Sequence, residues 1–126
     1  MRQVRLNEEI QKAVVVALVN HVSNKKVINP ITYGDVCEIV DNRLIPRGVG
    51  RYLYPIADVC EAHDLPPITS VVVYAKTGLP GDGFYKNCST ISKHEKRTIL
   101  KQSLIEVSNC KDWSKLLKHF DIGNKR

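Results

Sequence analysis

The sequence predicts a mainly α fold with a small β wing: a winged helix-turn-helix with further helices at its C-terminal end. Three observations lead there. Apolar residues recur at helical spacing through the first sixty positions, in runs separated by turn signals. One β-branched run, Ile68 to Tyr74, breaks that period and ends in a glycine-rich loop. Beyond the loop, helical spacing returns twice more.

The first helix is expected from an N-cap at Asn7 to about Ser23. Glu8 and Glu9 suit its positive end, and Ile10, Ala13, Val14, Ala17 and Leu18 form its apolar stripe. His21 closes that stripe, where packing or capping is the ordinary role. Residues 24–30 form a polar loop ending in Asn29-Pro30. Thr32 opens the second helix, with Asp35 completing a capping box and Val36, Cys37, Ile39 and Val40 facing inward. Asp41-Asn42 is a turn. Pro46 then suits the first position of a third helix, because its missing N–H would have no partner there. Pro55 is expected to kink or restart that helix, which Asp64-Leu65-Pro66-Pro67 stops.

The strand Ile68–Tyr74 turns at Lys76-Thr77-Gly78, and Gly78 to Gly83 is a loop that returns Phe84 and Tyr85 to the core. A fourth helix is expected from Ser92 to about Val107. A last one runs from Asp112 to Phe120, with Trp113, Leu116, Leu117 and Phe120 as its apolar stripe. The organisation expected is a core over residues 1–85 with a basic helical extension, 86–126, packed on it.

Composition narrows the function classes. The chain is 43% hydrophobic and 25% charged, an ordinary globular balance, and its longest apolar run, Ala13 to Val19, is too short to span a membrane. The N-terminus soon reaches Glu8 and Glu9 and is not a signal peptide, so a cytoplasmic protein is expected. Net charge is +6, and it is uneven. Residues 1–85 balance nine Lys/Arg against nine Asp/Glu, whereas residues 86–126 carry ten against four. A block this basic suits a polyanion or a well-solvated helix face.

The four cysteines, at 37, 60, 88 and 110, include no Cys-x-x-Cys pair. Cys37 and Cys60 fall on apolar helix faces and read as buried thiols. Cys60 and His63 share a helix face, but two ligands do not make a zinc site, and no metal or other cofactor is expected.

A short second helix, a turn and a third helix with basic residues at its start describe a helix-turn-helix, and the strand and glycine loop would add the wing. Arg47 and Arg51 lie one turn apart. Gly48 and Gly50 cost the helix about 1 kcal/mol each in propensity, so either helices two and three pack closely there or a ligand backbone approaches.

The segment Ile10 to Gly81 resembles the C-terminal domain of alkylguanine-DNA alkyltransferases and alkyltransferase-like proteins. The matching blocks, in order, are the apolar helix Ile10–Leu18, Thr32-Tyr33-Gly34-Asp35-Val36, Arg47-Gly48-Val49-Gly50-Arg51-Tyr52-Leu53, and Val71-Val72-Val73 through Gly78. They cover over half of the chain. The resemblance implies a recognition helix in the minor groove. Arg47 would fill the space left by a flipped nucleotide, and Tyr33 would contact a phosphate. One block departs: where the family carries Pro-Cys-His-Arg, this chain reads Pro66-Pro67-Ile68-Thr69-Ser70. Without that cysteine there is no nucleophile for alkyl transfer.

The expected function is therefore non-catalytic binding of nucleic acid, most simply duplex DNA. The contact residues expected are Tyr33, Arg47, Gly48, Arg51, Tyr54 and, in the wing, Lys76, with no small-molecule substrate. Lys93, Lys96 and Lys101 would add non-specific attraction. The alternative is a protein-interaction module that reuses the scaffold as an immunity protein, inhibitor or mobile-element accessory. A small nuclease using His63 or His94 is a third possibility, but neither histidine sits in a recognised nuclease spacing.

Overall fold

A computed structural model describes residues 2–23, 25–81 and 92–122. It is mainly helical. Helix α1 (Arg2–Val22) leads to a two-residue strand β1 (Ile31–Thr32) and helix α2 (Tyr33–Ile39). A 3-10 turn (Pro46–Gly48) opens onto α3 (Gly50–Ala62). A second 3-10 turn (Ile68–Val71) precedes strand β2 (Val72–Val73), and α4 (Lys93–Asn109) and α5 (Ser114–His119) follow.

The core forms where the apolar faces meet. Val14, Val15 and Leu18 of α1, Val36 of α2, Ile56 and Cys60 of α3 and Ile68 and Val71 of the second 3-10 turn are all buried in one cluster. Val107, Trp113 and Leu116 join the same cluster, so the C-terminal helices share this core. Each buried aliphatic side chain contributes about 1.5–3 kcal/mol.

Local chemistry explains most of the boundaries. Thr32 caps α2: its Oγ1 accepts from the Asp35 N–H, and the Asp35 carboxylate accepts from the Thr32 N–H, both at 3.0 Å. The same box recurs at α4, where Ser92 and Glu95 exchange bonds of 3.0 and 3.1 Å. Donation from the Ser92 N–H holds the Glu95 carboxyl below its ordinary 4.5. Asp41 and Asn42 both take positive φ and reverse the chain after α2. His21 donates from Nε2 to the Asn29 carbonyl at 2.6 Å, tying α1 to the next loop.

Four expectations are corrected. Helix α1 begins at Arg2 rather than after Asn7. Asn7 instead accepts through Oδ1 from the Tyr52 hydroxyl at 3.2 Å, a bond between α1 and α3. The third helix starts as a 3-10 turn at Pro46, and α3 runs unbroken through Pro55. Proline there removes only the donor to the Arg51 carbonyl. Buried Tyr52, Leu53, Ile56, Val59 and Cys60 on the inner face hold the helix regardless. Ile68–Tyr74 is not one strand: Ile68–Val71 coil into a 3-10 turn, and only Val72 and Val73 extend. These residues are buried all round, which removes the need for strand alternation.

The small sheet also differs from a wing. β1 and β2 pair in parallel, Ile31 with Val72 and Thr32 with Val73, and no antiparallel hairpin is found among the described residues. The pairing joins the entry of α2 to the chain just before the loop. The loop then turns inward. Tyr74 N–H donates to the Leu79 carbonyl (2.9 Å) and Gly78 N–H to the Tyr74 carbonyl (2.8 Å), with Gly78 at φ +70°. Leu79 is buried against Val73 and Leu100 of α4. Gly83, Phe84, Tyr85 and Cys88 lie outside the described residues.

No described helix is long and apolar enough to cross a membrane.

Candidate functional site

The start of α3, the first residue of α2 and the 74–81 loop enclose one pocket of about 610 Å³. Pro46, Arg47, Gly50, Arg51, Leu53 and Tyr54 line it from the α3 side. Tyr33, Thr69, Tyr74, Pro80 and Gly81 line the opposite side. None of these residues is acidic.

Each wall has a local cause. Pro46 fixes the backbone that aims Arg47 outward, and Arg51 follows four residues on. Both arginines are exposed, and neither forms an ion pair among the described residues. Arg51 lies over the Tyr52 ring, its guanidinium carbon 5.9 Å from the centroid. Tyr52 is itself buried and bonded to Asn7, so it gives that cation a fixed seat.

The facing wall is a tyrosine pair. The Tyr33 and Tyr74 rings lie 4.6 Å apart at 37°. The register of β1 against β2 sets this contact, because each tyrosine directly follows a paired strand residue. The Gly81 N–H donates to the Tyr33 hydroxyl at 3.1 Å and latches the loop end to α2. A Cβ on Gly81 would stand 2.8 Å from the Tyr33 hydroxyl oxygen and 3.4 Å from that of Tyr74, so a larger residue there would push the Tyr33 hydroxyl aside. Thr69 is 6% exposed and forms part of the lining.

Of the residues expected at the site, Tyr33, Arg47, Arg51 and Tyr54 come together around this pocket. Gly48 and Lys76 do not line it. Lys76 is exposed on the loop. Gly48 of the 3-10 turn and Gly50 of α3 are not explained by tight helix packing. A Cβ at Gly48 would make only ordinary contacts of 3.9 Å with Leu44 and Ile45, and one at Gly50 would meet nothing within 4 Å. Tyr74, Thr69 and Gly81 were not singled out from the sequence. The available signal was the tyrosine that ends the valine run, the same residue type that opens α2.

No thiol serves this pocket among the described residues. Cys60 is buried in the core, 1% exposed, beside the Ile68 backbone N–H. Burial pushes the Cys60 thiol up, partly offset by that N–H and reinforced by Cys110 nearby. Burial raises Cys37 as well. Neither is a thiolate at neutral pH, so neither is poised as a nucleophile.

Comparison of the chain with protein-family profiles, with curated proteins and with solved structures gave no match.

Proposed function

We propose that this protein binds duplex DNA without catalysing a reaction on it, through the face that carries the pocket. In this reading α2, its turn and α3 act as a helix-turn-helix, and the 74–81 loop stands where a wing would. The observation that supports it is the convergence of Arg47, Arg51, Tyr33 and Tyr54 on one face with no acid in its lining. Two exposed arginines that form no ion pair among the described residues keep their capacity for charge-assisted bonds to phosphate. The open space at Gly50 lets a sugar-phosphate backbone approach α3 closely. The likeness to the alkyltransferase-like domain agrees with this face.

The test is fluorescence anisotropy of a labelled duplex of about 30 base pairs at low and physiological salt. If about five phosphates are neutralised, log K falls against log salt with a slope near −4 to −5. Arg47→Ala should then weaken binding to every duplex tested. Affinity that ignores salt, or no binding at micromolar protein in low salt, overturns the proposal.

A second reading has one observation in its favour. Ile45, Tyr54 and Tyr74 are 57%, 58% and 52% exposed on or beside the pocket. Large exposed apolar groups beside arginines also suit a protein interface. If duplex binding fails, a pull-down from nuclease-treated lysate becomes the next experiment.

A further inference from the structure

We infer that the pocket is also a small-molecule site, for a free aromatic ligand carrying one anionic group, with a nucleoside monophosphate as its simplest form. The ring would lie against Tyr74, and the anion would sit between Arg47 and Arg51. The inference goes beyond DNA binding and does not require it.

Four observations carry it. The volume, about 610 Å³, falls within the range of roughly 300–1,000 Å³ usual for small-ligand sites. Tyr74 is half-exposed, yet its ring is supported from behind by Tyr33 at 4.6 Å, so it is a fixed aromatic surface rather than a loose side chain. An aromatic face of this kind stacks any planar ring. Arg47 and Arg51 line the same pocket as that ring, and neither forms an ion pair among the described residues. Lastly, the lining includes residues with hydroxyl groups, Tyr33, Tyr74 and Thr69. The Tyr33 and Tyr74 hydroxyls both approach the Gly81 position, and Thr69 is a largely buried hydroxyl in the lining.

The Gly81 latch gives the site its shape. With the loop end bonded to Tyr33, Pro80 and Gly81 close the side opposite the arginines. The pocket is therefore preformed, and a ligand need not order the loop to bind.

Isothermal titration of the full chain with AMP, adenosine and inorganic phosphate tests this. AMP is expected to bind about tenfold or more tightly than either part alone, because stacking and charge act together. Tyr74→Ala and Arg51→Ala should each weaken AMP by about tenfold while the chain still unfolds in one cooperative thermal transition. Tyr74→Phe should keep AMP affinity within about threefold, since the ring face is retained. AMP no tighter than phosphate, AMP no tighter than adenosine, or full affinity in Tyr74→Ala overturns the inference. Duplex binding without AMP binding overturns it and spares the DNA proposal. AMP binding without duplex binding does the reverse.

Discussion

The face built on α3 and the 74–81 loop differs from the face built on α4 and α5 in a way that separates charge from site. The C-terminal stretch supplies the whole net charge of +6, whereas residues 1–85 are neutral. On α4, Lys93, Arg97 and Lys101 recur every four residues and are exposed, one stripe along the helix. Yet the large pocket, the aromatic pair and the two arginines that line it all lie on the neutral part. Formal charge is a long-range quantity, screened over about 8–10 Å at ordinary salt. A site needs fixed geometry, and geometry is what α3 and the loop provide. On the proposed DNA-binding reading, the α4 stripe would attract a polyanion and the α3 face would orient it.

Breaking the two faces in turn gives the largest expected effect. The double change Arg47→Ala with Arg51→Ala should remove most duplex affinity at physiological salt, about tenfold or more for each charged hydrogen-bonding group lost. Lys93→Ala with Lys101→Ala should cost far less at physiological salt. It should flatten the salt slope by about 0.9 for each phosphate contact removed. Anisotropy titrations across a salt series read both numbers. If the lysine pair costs as much as the arginine pair, the division of labour between the faces is wrong.

Two glycines sharpen the contrast at the level of packing. Gly81→Ala drives a Cβ to 2.8 Å from the Tyr33 hydroxyl oxygen. Overpacking of that kind costs about 1–3 kcal/mol, here by breaking the latch. Gly50→Ala meets nothing within 4 Å on the other wall. It should raise stability by about 0.5–1 kcal/mol through helix propensity. Urea unfolding of both variants checks the signs. A neutral Gly81→Ala would mean that the tyrosine pair yields easily and does not fix the pocket wall.

These contrasts also mark what was legible in the sequence. The α3 side of the site could be read because its parts are close in the chain: a proline, two arginines and a tyrosine within Pro46–Tyr54. The cap at Thr32 and the turn at Asp41-Asn42 were legible for the same reason, since a side chain and a backbone group a few residues apart decide them. The facing wall was not. Tyr74 and Gly81 meet Tyr33 only because β1 pairs with β2 across forty residues, and a two-residue parallel strand leaves no periodic signal. The valine run misled for a related reason. Burial on all sides makes a coiled 3-10 segment and a strand read alike, as uninterrupted apolar residues. Asn7 has the chemistry of a cap, but a tertiary bond to Tyr52 claims it.

Beneath both faces the core makes a smaller prediction. Ser70 is fully buried and its hydroxyl has no hydrogen-bond partner among the described residues. Its neighbour Thr69 turns toward the pocket instead. A buried hydroxyl without a partner costs roughly 1–3 kcal/mol, so Ser70→Ala should stabilise the fold by about 1 kcal/mol after the small void is counted. AMP and duplex affinities should stay unchanged, because the Ser70 side chain is not part of the lining. A destabilised Ser70→Ala would show that the hydroxyl holds the 3-10 turn in place and so supports Thr69.

The smallest effect is a pH dependence carried by the thiols. Cys60 and Cys37 both have folded values raised above the ordinary 9.0 by burial, so the folded chain holds those protons more tightly than the unfolded chain. The associated stability is complete below the unfolded value and is lost as pH rises from there toward the folded values. Urea midpoints at pH 7 and pH 10 should therefore fall with pH in the native chain. The drop should shrink in Cys60→Ala, even though the void left by the sulfur lowers that variant's stability at both pH values. Cys60 is the more informative thiol, because it joins α3 to the Ile68–Val71 turn in the core. An unchanged drop in Cys60→Ala would mean that the fold opens locally at high pH and exposes this thiol, and that the α3 contact with the turn is less rigid than the tyrosine pair.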